Sequence, residues 1–294
     1  MDNMQIFLLN KGTYRGALLD ATEIVQKMKK SHNTGVLETY ILGENYIAAG
    51  LLTSMLKGND RLAVVFECGG PVKGISVEVS ADGKVRGYLK NNPIPLDKKQ
   101  DDFDLNFILG PGFLSIIKYP EGDSQPFKGQ VMIEYGDIAK DLANYFTTSE
   151  NLPTAFNLSV KFNKDGSVKG AGGLIIQKMP AIDKDNEDES DAEKIEKALS
   201  AMPSIGESLS DGQTPSEIIS STFEDFFPNV IGSRNIRFEC GCNKELFSTY
   251  LNGLSDSDKK DLYENGPFPV KTNCHNCNSV YSFNKEELKS IFNF

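Results

Sequence analysis

The spacing of hydrophobic residues predicts one long helix near the start of the chain. Between residues 34 and 57, apolar side chains recur mainly three and four positions apart, as they do on one face of an α-helix. They are Leu37, Tyr40, Ile41, Ile47, Ala48, Leu51, Leu52 and Met55. We therefore expect a helix that buries a single apolar face.

From Arg61 onward, the hydrophobic pattern changes to the short period of β-strands. The predicted strands are RLAVVFEC, GISVEVS, KVRGYLK, FDLNFIL, FLSIIKY, KGQVMIEY, TAFNLSVKF and VKGAGGLIIQKM. Turn sequences at Ala81-Asp82-Gly83 and Asp165-Gly166 indicate hairpins, and one helical stretch, DIAKDLANYFTTSE, interrupts the strands. Antiparallel strands with a few helices predict an N-terminal α+β domain over residues 1–180.

The composition changes after Pro180. Between residues 183 and 225 there are thirteen acidic residues and three lysines, a run that alone is typical of a solvated linker. However, AEKIEKALSAM and PSEIISSTFEDFF also carry apolar residues at helical spacing. We predict that residues 181–231 form an acidic helical linker that is metastable and folds mainly by docking on a neighbour.

Residues 232–294 have the pattern of a small separate module. Two helical stretches, NKELFSTYLNGL and SDSDKKDLYENG, are followed by a strand around VYSF and a closing helix, NKEELKSIF. The module has eight basic and eight acidic residues, so it lacks the basic surface that nucleic-acid binding requires.

Length and charge narrow the possible functions. A chain of 294 residues suits two or three domains, and a net charge of −10 argues against nucleic-acid partners and anionic membranes. The only apolar run near the N-terminus is IFLL, with an acid ahead of it, which predicts neither a signal peptide nor a membrane span. We expect a cytoplasmic protein, and in a reducing cytoplasm clustered cysteines are metal ligands or redox groups.

Four of the five cysteines form two tight pairs. Cys240 and Cys242 make a C-x-C motif, Cys274 and Cys277 make a C-x-x-C motif, and 31 residues separate the two pairs. Four thiolates in two pairs are the ligand set of a tetrahedral zinc site, so we predict one zinc ion per chain. His275 lies between two ligands and is expected to face solvent, because four sulfurs complete the tetrahedron.

The energetics favour a site that can release its metal, rather than a purely structural metal site. A small module with few large apolar side chains depends on its metal, which can contribute roughly 10 to 16 kcal/mol to folding. A disulfide within either pair would contribute only about 2 kcal/mol and would not tie the ends of the module together. The close C-x-C pair would also form a strained, reducible disulfide, which Gly241 makes easier to close.

Other chemistry has little support in the sequence, and we do not expect an enzyme. Neither His32 nor His275 lies in a nucleophile–base motif, and the acidic residues suggest no catalytic pair. The segment GAGGLIIQK lacks the phosphate-binding patterns, so its glycines at 170, 172 and 173 predict close backbone contacts in a strand. Cys68 ends an apolar strand and is expected to be a small buried side chain.

The chain resembles the heat shock protein 33 family, the redox-regulated 33 kDa chaperonins. The resemblance covers nearly the whole sequence. It rests on CGC at 240–242, CHNC at 274–277, DLANYFTTSENLPTAF at 141–156 and GAGGLIIQKMP at 170–180.

The resemblance implies a cytoplasmic holdase that binds unfolded client proteins without ATP. In such a protein, Cys240, Cys242, Cys274 and Cys277 hold zinc in the reduced, inactive state. Peroxide with heat, or hypochlorous acid, forms the disulfides Cys240–Cys242 and Cys274–Cys277 and releases the zinc. The module and linker then unfold, client-binding surface becomes exposed, and the active form is a homodimer.

The residues alone leave two alternatives open. One is a zinc-ribbon module that binds nucleic acid or a protein partner, against which the neutral module and the acidic chain count. The other is a thiol oxidoreductase that uses Cys274 and Cys277. It lacks the expected thioredoxin-like context, in which the C-x-x-C follows a strand and opens a helix.

Overall fold

The computed structural model describes residues 3–96, 105–123, 125–180 and 189–294. The chain forms two compact units, Met1–Phe238 and Glu239–Phe294. In chain order the strands are β1 (Met4–Leu9), β2 (Tyr14–Asp20), β3 (Arg61–Cys68), β4 (Gly74–Ser80), β5 (Lys84–Leu89), β6 (Gly112–Tyr119), β7 (Phe127–Met132), β8 (Thr154–Phe162), β9 (Val168–Lys178), β10 (Asn229–Arg234), β11 (Arg237–Phe238), β12 (Val270–Asn273) and β13 (Val280–Phe283). The helices are α1 (Thr22–His32), α2 (Val36–Leu52), α3 (Leu105–Leu109), α4 (Ile138–Ser149), α5 (Glu189–Ala201), α6 (Ile205–Ser210), α7 (Pro215–Thr222), α8 (Lys244–Asn252), α9 (Asp256–Asn265) and α10 (Lys285–Phe292). This arrangement confirms the predicted α+β class.

Two sheets build the larger unit. The first has the strand order β10-β1-β2-β9-β8, with all neighbours antiparallel. The second has the order β11-β5-β4-β3-β6-β7 and is antiparallel except for the short parallel pair β11 and β5. Both predicted hairpins are present, and Gly83 and Gly166 in their turns have φ angles of 86° and 78° that glycine adopts without strain.

Helix α2 lies between the two sheets and packs against strands of both. The prediction of a single apolar face was therefore too narrow, because the helix is buried on nearly all sides. Even Glu44 is buried, and burial raises the pKa of its carboxyl to about 8, although a hydrogen bond with Tyr40 acts in the opposite direction. A neutral glutamic acid can be accommodated in this core, whereas a charged one would be costly.

One predicted strand is wrong. The described part of FDLNFIL forms the short helix α3, while residues 103 and 104 lie outside the described residues. The Gly110 N–H donates to the Asn106 carbonyl oxygen at 2.8 Å, which closes a helical turn, and Gly110 ends it with a φ of 63°. A run of three apolar residues fits a buried helical turn as well as a strand.

The described part of the predicted linker covers the outer face of the first sheet. Helices α5, α6 and α7 pack their apolar side chains on this face and form a second core with it. The sheet contributes Phe7, Leu9, Tyr14, Leu18, Leu174 and Ile176, and the linker contributes Ile195, Ile205, Ile218, Ile219, Phe223 and Phe226. Residues 181–188, which include four of the thirteen acidic residues, lie outside the described residues.

The glycines of β9 allow this close docking. A Cβ atom at Gly170 would overlap the carbonyl oxygen of Gly206 in α6, and a Cβ at Gly172 would overlap the side chain of Leu209. The Ser159 and Ser204 hydroxyls add a hydrogen bond of 2.7 Å between the sheet and the start of α6. The predicted close contacts are confirmed, and two of the three predicted glycines meet the linker.

The smaller unit contains the predicted helices α8, α9 and α10 and a hairpin of β12 and β13. Its core is small. The buried apolar side chains of this core are Leu251, Val270, Phe283, Leu288 and Phe292. Among the described residues of the whole chain, no helix combines the length and apolar character needed to cross a membrane.

Candidate metal centre

Two loops of the smaller unit carry the four paired cysteines. Cys240 and Cys242 precede α8, whose first turn is capped by Asn243, since its side chain accepts a hydrogen bond from the Leu246 N–H at 2.8 Å. This cap fixes where the C-x-C loop ends and the helix begins.

The turn between β12 and β13 carries the second pair. The Cys274 N–H donates to the Ser279 carbonyl at 2.9 Å, and the Asn278 N–H donates to the Cys274 carbonyl at 2.7 Å. Asn278 has a φ of 57°, a left-handed conformation that asparagine tolerates better than most residues. These hydrogen bonds hold Cys274 and Cys277 close together in one tight turn.

The sulfur atoms of the four paired cysteines form one cluster. All lie within 4.8 Å of one another. The Cys240 and Cys274 sulfurs are 3.8 Å apart, and the Cys242 and Cys277 sulfurs are 3.3 Å apart. These separations exceed the roughly 2.05 Å of a disulfide, and none of the five cysteines, all of which the structure describes, forms a disulfide. The four paired cysteines could together hold one metal ion.

Hydrogen bonds tune the thiols of the second pair. Burial by itself would raise the pKa of Cys277, but hydrogen bonding with the side chain and backbone of Ser279 and with Cys242 and Cys274 outweighs it and lowers the pKa to about 7. The Ser279 hydroxyl oxygen, which accepts from the Cys277 thiol, lies 3.2 Å from the sulfur. Burial raises the pKa of Cys274. A metal ligand must be a thiolate, and the lowered pKa favours that form at Cys277.

Tyr281 contacts the first pair. Its hydroxyl oxygen lies 3.2 Å from the Cys242 sulfur and donates to the Cys242 carbonyl oxygen at 3.0 Å. The hydrogen bond with Cys242 raises the pKa of Tyr281 to about 12. Neither Tyr281 nor Ser279 was predicted from the sequence. Their nearness to Cys277 in the chain was the available signal, but it does not show which sulfur each hydroxyl reaches.

His275 faces solvent as predicted, whereas Cys68 is less buried than predicted. The side chain of His275 is exposed and does not belong to the group of four ligands. Cys68 lies on β3 in the larger unit and is half-buried against the core, where burial raises the pKa of its thiol to about 12. A thiol that stays protonated is a poor nucleophile, so Cys68 is unsuited to a switch.

Comparisons with known proteins agree over most of the chain. The family model described as Hsp33 protein matches residues 2–284. The 33 kDa chaperonin of Lachnoclostridium phytofermentans is 34% identical over 273 residues, covering 92% of this chain and 91% of the relative. The 33 kDa chaperonin of Bacillus subtilis is 34% identical over 293 residues, covering 99% and 98%.

A solved structure extends this similarity to the fold. The crystal structure of the 33 kDa chaperonin, a heat shock protein 33 homologue, from Thermotoga maritima has a TM-score of 0.86 with this chain at 29% identity. The match covers 100% of this chain and 99% of that chain.

Proposed function

Because the chain belongs to the Hsp33 family of chaperones, we propose that it is a redox-regulated holdase that keeps unfolding client proteins from aggregating without ATP. Its relatives are named as chaperonins rather than as enzymes. In this proposal the protein acts in the cytoplasm and forms a homodimer when it is oxidised.

Cys240, Cys242, Cys274 and Cys277 hold one zinc ion in the reduced state of this proposal. Four thiolates are a ligand set that zinc favours, and zinc–sulfur bonds of about 2.3 Å place tetrahedral ligands about 3.8 Å apart. The Cys240 and Cys274 sulfurs already have this separation, while the Cys242 and Cys277 sulfurs at 3.3 Å need to move apart only slightly. This fit supports zinc as the metal.

Oxidation converts the four thiolates into two local disulfides, Cys240–Cys242 and Cys274–Cys277. For each bond, two thiolates give two electrons to one peroxide molecule, which takes up two protons and becomes two water molecules. Disulfide sulfurs no longer carry the thiolate charge that binds a metal, so the four cysteines release it. Neither new bond joins the C-x-C loop to the β12–β13 turn, and the module loses its central cross-link.

The observation that carries the proposal is the apolar sheet face beneath the linker. The buried surface between the sheet and α5, α6 and α7 is made of large aliphatic and aromatic side chains on both sides. In the chain, the linker is followed by β10, β11 and then Cys240. Unfolding of the module would therefore act on the chain segment that leads directly into the linker. Release of the linker would expose two apolar surfaces for unfolded clients.

A light-scattering assay tests the switch. Reduced, zinc-loaded protein is expected to leave the aggregation of a thermally unfolding client unchanged, whereas peroxide-oxidised protein suppresses most of it at near-stoichiometric ratios. Adding dithiothreitol and zinc should restore the inactive state. The variant Cys68→Ser serves as a matched control and should switch like the wild type. Equal suppression by the reduced and oxidised forms would rule the switch out.

A substitution at Gly241 tests whether the flexibility of the C-x-C loop helps the Cys240–Cys242 disulfide to form. A Cβ atom added there meets no heavy atom within 4 Å, so Gly241→Ala should change the stability of the reduced protein by only about 0.5 kcal/mol or less. The alanine restricts the backbone bend that a Cys240–Cys242 disulfide needs, so this disulfide should form less readily. Zinc content and titration with oxidised glutathione measure the two effects. Loss of zinc from the reduced variant would contradict this expectation.

A further inference from the structure

We propose that Tyr281 is a positioning residue that slows the oxidation of Cys242 and thereby sets how much oxidant the switch requires. The inference rests on the proposed redox function and adds to it a side chain that is not a metal ligand. It follows from the position of the Tyr281 hydroxyl, which contacts both the sulfur and the carbonyl oxygen of Cys242.

The ring of Tyr281 is held by two elements that carry different cysteine pairs. On β13 it is paired with Thr272 of β12, in the hairpin whose turn contains Cys274 and Cys277. It also stacks on Phe247 of α8, the helix that follows the C-x-C loop, with ring centroids 4.9 Å apart and an angle of 29° between the planes. Tyr281 therefore connects the hairpin to the C-x-C loop independently of the metal, and its hydroxyl cannot move far from Cys242.

A hydrogen bond to a thiolate makes its sulfur less reactive. When peroxide oxidises Cys242, a sulfur electron pair attacks one oxygen, the oxygen–oxygen bond breaks, and hydroxide leaves and is protonated to water. The sulfur is then a sulfenic acid. The Cys240 thiolate then attacks the Cys242 sulfur and displaces the hydroxyl group of the sulfenic acid. This hydroxyl is protonated and leaves as a second water, and the disulfide is formed. Tyr281 has one hydroxyl proton, and a charged thiolate attracts it more strongly than the Cys242 carbonyl oxygen does, so in the reduced site the hydroxyl donates to the Cys242 sulfur. This hydrogen bond stabilises the electron pair that the first attack needs.

Removing the hydroxyl should therefore speed this step. Hydrogen bonds to charged groups contribute more than neutral ones, and only part of that contribution is lost on the way to the transition state. We expect Tyr281→Phe to raise the initial rate of Cys240–Cys242 disulfide formation about three- to tenfold. The phenylalanine keeps the stacking on Phe247, so the hairpin and the loop should stay in place.

The experiment compares three full-length, reduced and zinc-loaded proteins: wild type, Tyr281→Phe and Tyr250→Phe. Tyr250 is a suitable control because it is 59% exposed and contacts the same Phe247 ring, at 5.8 Å and 84°. Each protein is mixed with excess peroxide at an elevated temperature at which the reduced protein stays folded, and is quenched at low conversion with N-ethylmaleimide. Peptide mass spectrometry then measures each cysteine pair separately, and a chromophoric chelator follows zinc release.

The expected result is faster oxidation of the Cys240–Cys242 pair in Tyr281→Phe alone, with the initial rate at Cys274–Cys277 unchanged. Equal acceleration of both pairs would mean that the module has merely loosened, and wild-type rates in Tyr281→Phe would mean that the hydroxyl does not protect Cys242. Either outcome overturns the inference but leaves the proposed function intact. If wild-type protein forms no disulfide and keeps its zinc, the proposed function fails and the inference fails with it.

Discussion

Replacing Ile219 by aspartate is expected to make the reduced, zinc-loaded protein an active chaperone. Ile219 on α7 is fully buried against the first sheet. A carboxylate there has no partner in an apolar contact, and burying it unpaired costs several kcal/mol. A helix as short as α7 has little stability of its own, so it should undock rather than tolerate the charge. The sheet face would then be exposed without any change at the cysteines.

Ser220→Asp is the matched control for this variant. Ser220 is the next residue on the same helix and is exposed, so the same new charge is placed in solvent. Three measurements separate the possible outcomes: zinc content, cleavage of the linker by a limiting protease, and suppression of client aggregation. Ile219→Asp should keep its zinc, lose linker protection and suppress aggregation, while Ser220→Asp resembles wild type. A cleavable linker without suppression would show that exposing this face is not sufficient for client binding.

The linker illustrates what the sequence could and could not predict. Helix-spaced apolar residues within an acidic segment indicated helices that need a neighbour, and α5 and α7 do pack on one. The neighbour itself was not predicted, because β1 and β2 provide much of the docking face and neither strand was recognised. The segment Asn10-Lys11-Gly12 between them was an available turn signal, since Asn10 and Lys11 both have positive φ angles.

Contacts with distant parts of the chain explain why the predictions for α2 and α3 differ from the structure. An amphipathic pattern reports one apolar face, but α2 is enclosed by both sheets, and its remaining faces are filled by small and polar residues such as Asn45 and Gly50. Their environment depends on strands that are distant in the sequence. The same holds for α3, whose helical turn is settled by the contacts at Gly110 and not by its apolar residues.

The four ligand candidates were predictable because a metal site imposes residue type and spacing on the sequence. The structure brings all four sulfurs together as that pattern requires. The hydroxyls of Ser279 and Tyr281 impose no such spacing. Tyr281 reaches a cysteine of the other loop, at Cys242, and only the register of the β12–β13 hairpin and the stacking on Phe247 place it there.

Removing one ligand with Cys277→Ser is expected to unfold the smaller unit and leave the larger one folded. The apolar core of this unit is small, so a metal bound to the four cysteines would contribute a large share of its stability, and structural zinc sites contribute roughly 10 to 16 kcal/mol to folding. Serine is a poor replacement for a buried thiolate, so the variant should lose its metal to a chelator that the wild type resists.

Hydrogen exchange followed by mass spectrometry measures the effect in each unit separately. In Cys277→Ser, amides between residues 239 and 294 should exchange within seconds, while those of the sheets around α2 stay protected, since their core contains none of the ligands. Cys68→Ser makes the same chemical change in the larger unit and should leave the metal and the smaller unit unaffected. Persistent protection of β12, β13 and α10 in metal-free Cys277→Ser would mean that the apolar core suffices to hold this unit folded. Oxidation could then release the metal without unfolding the module, and the switch would need another way to reach the linker.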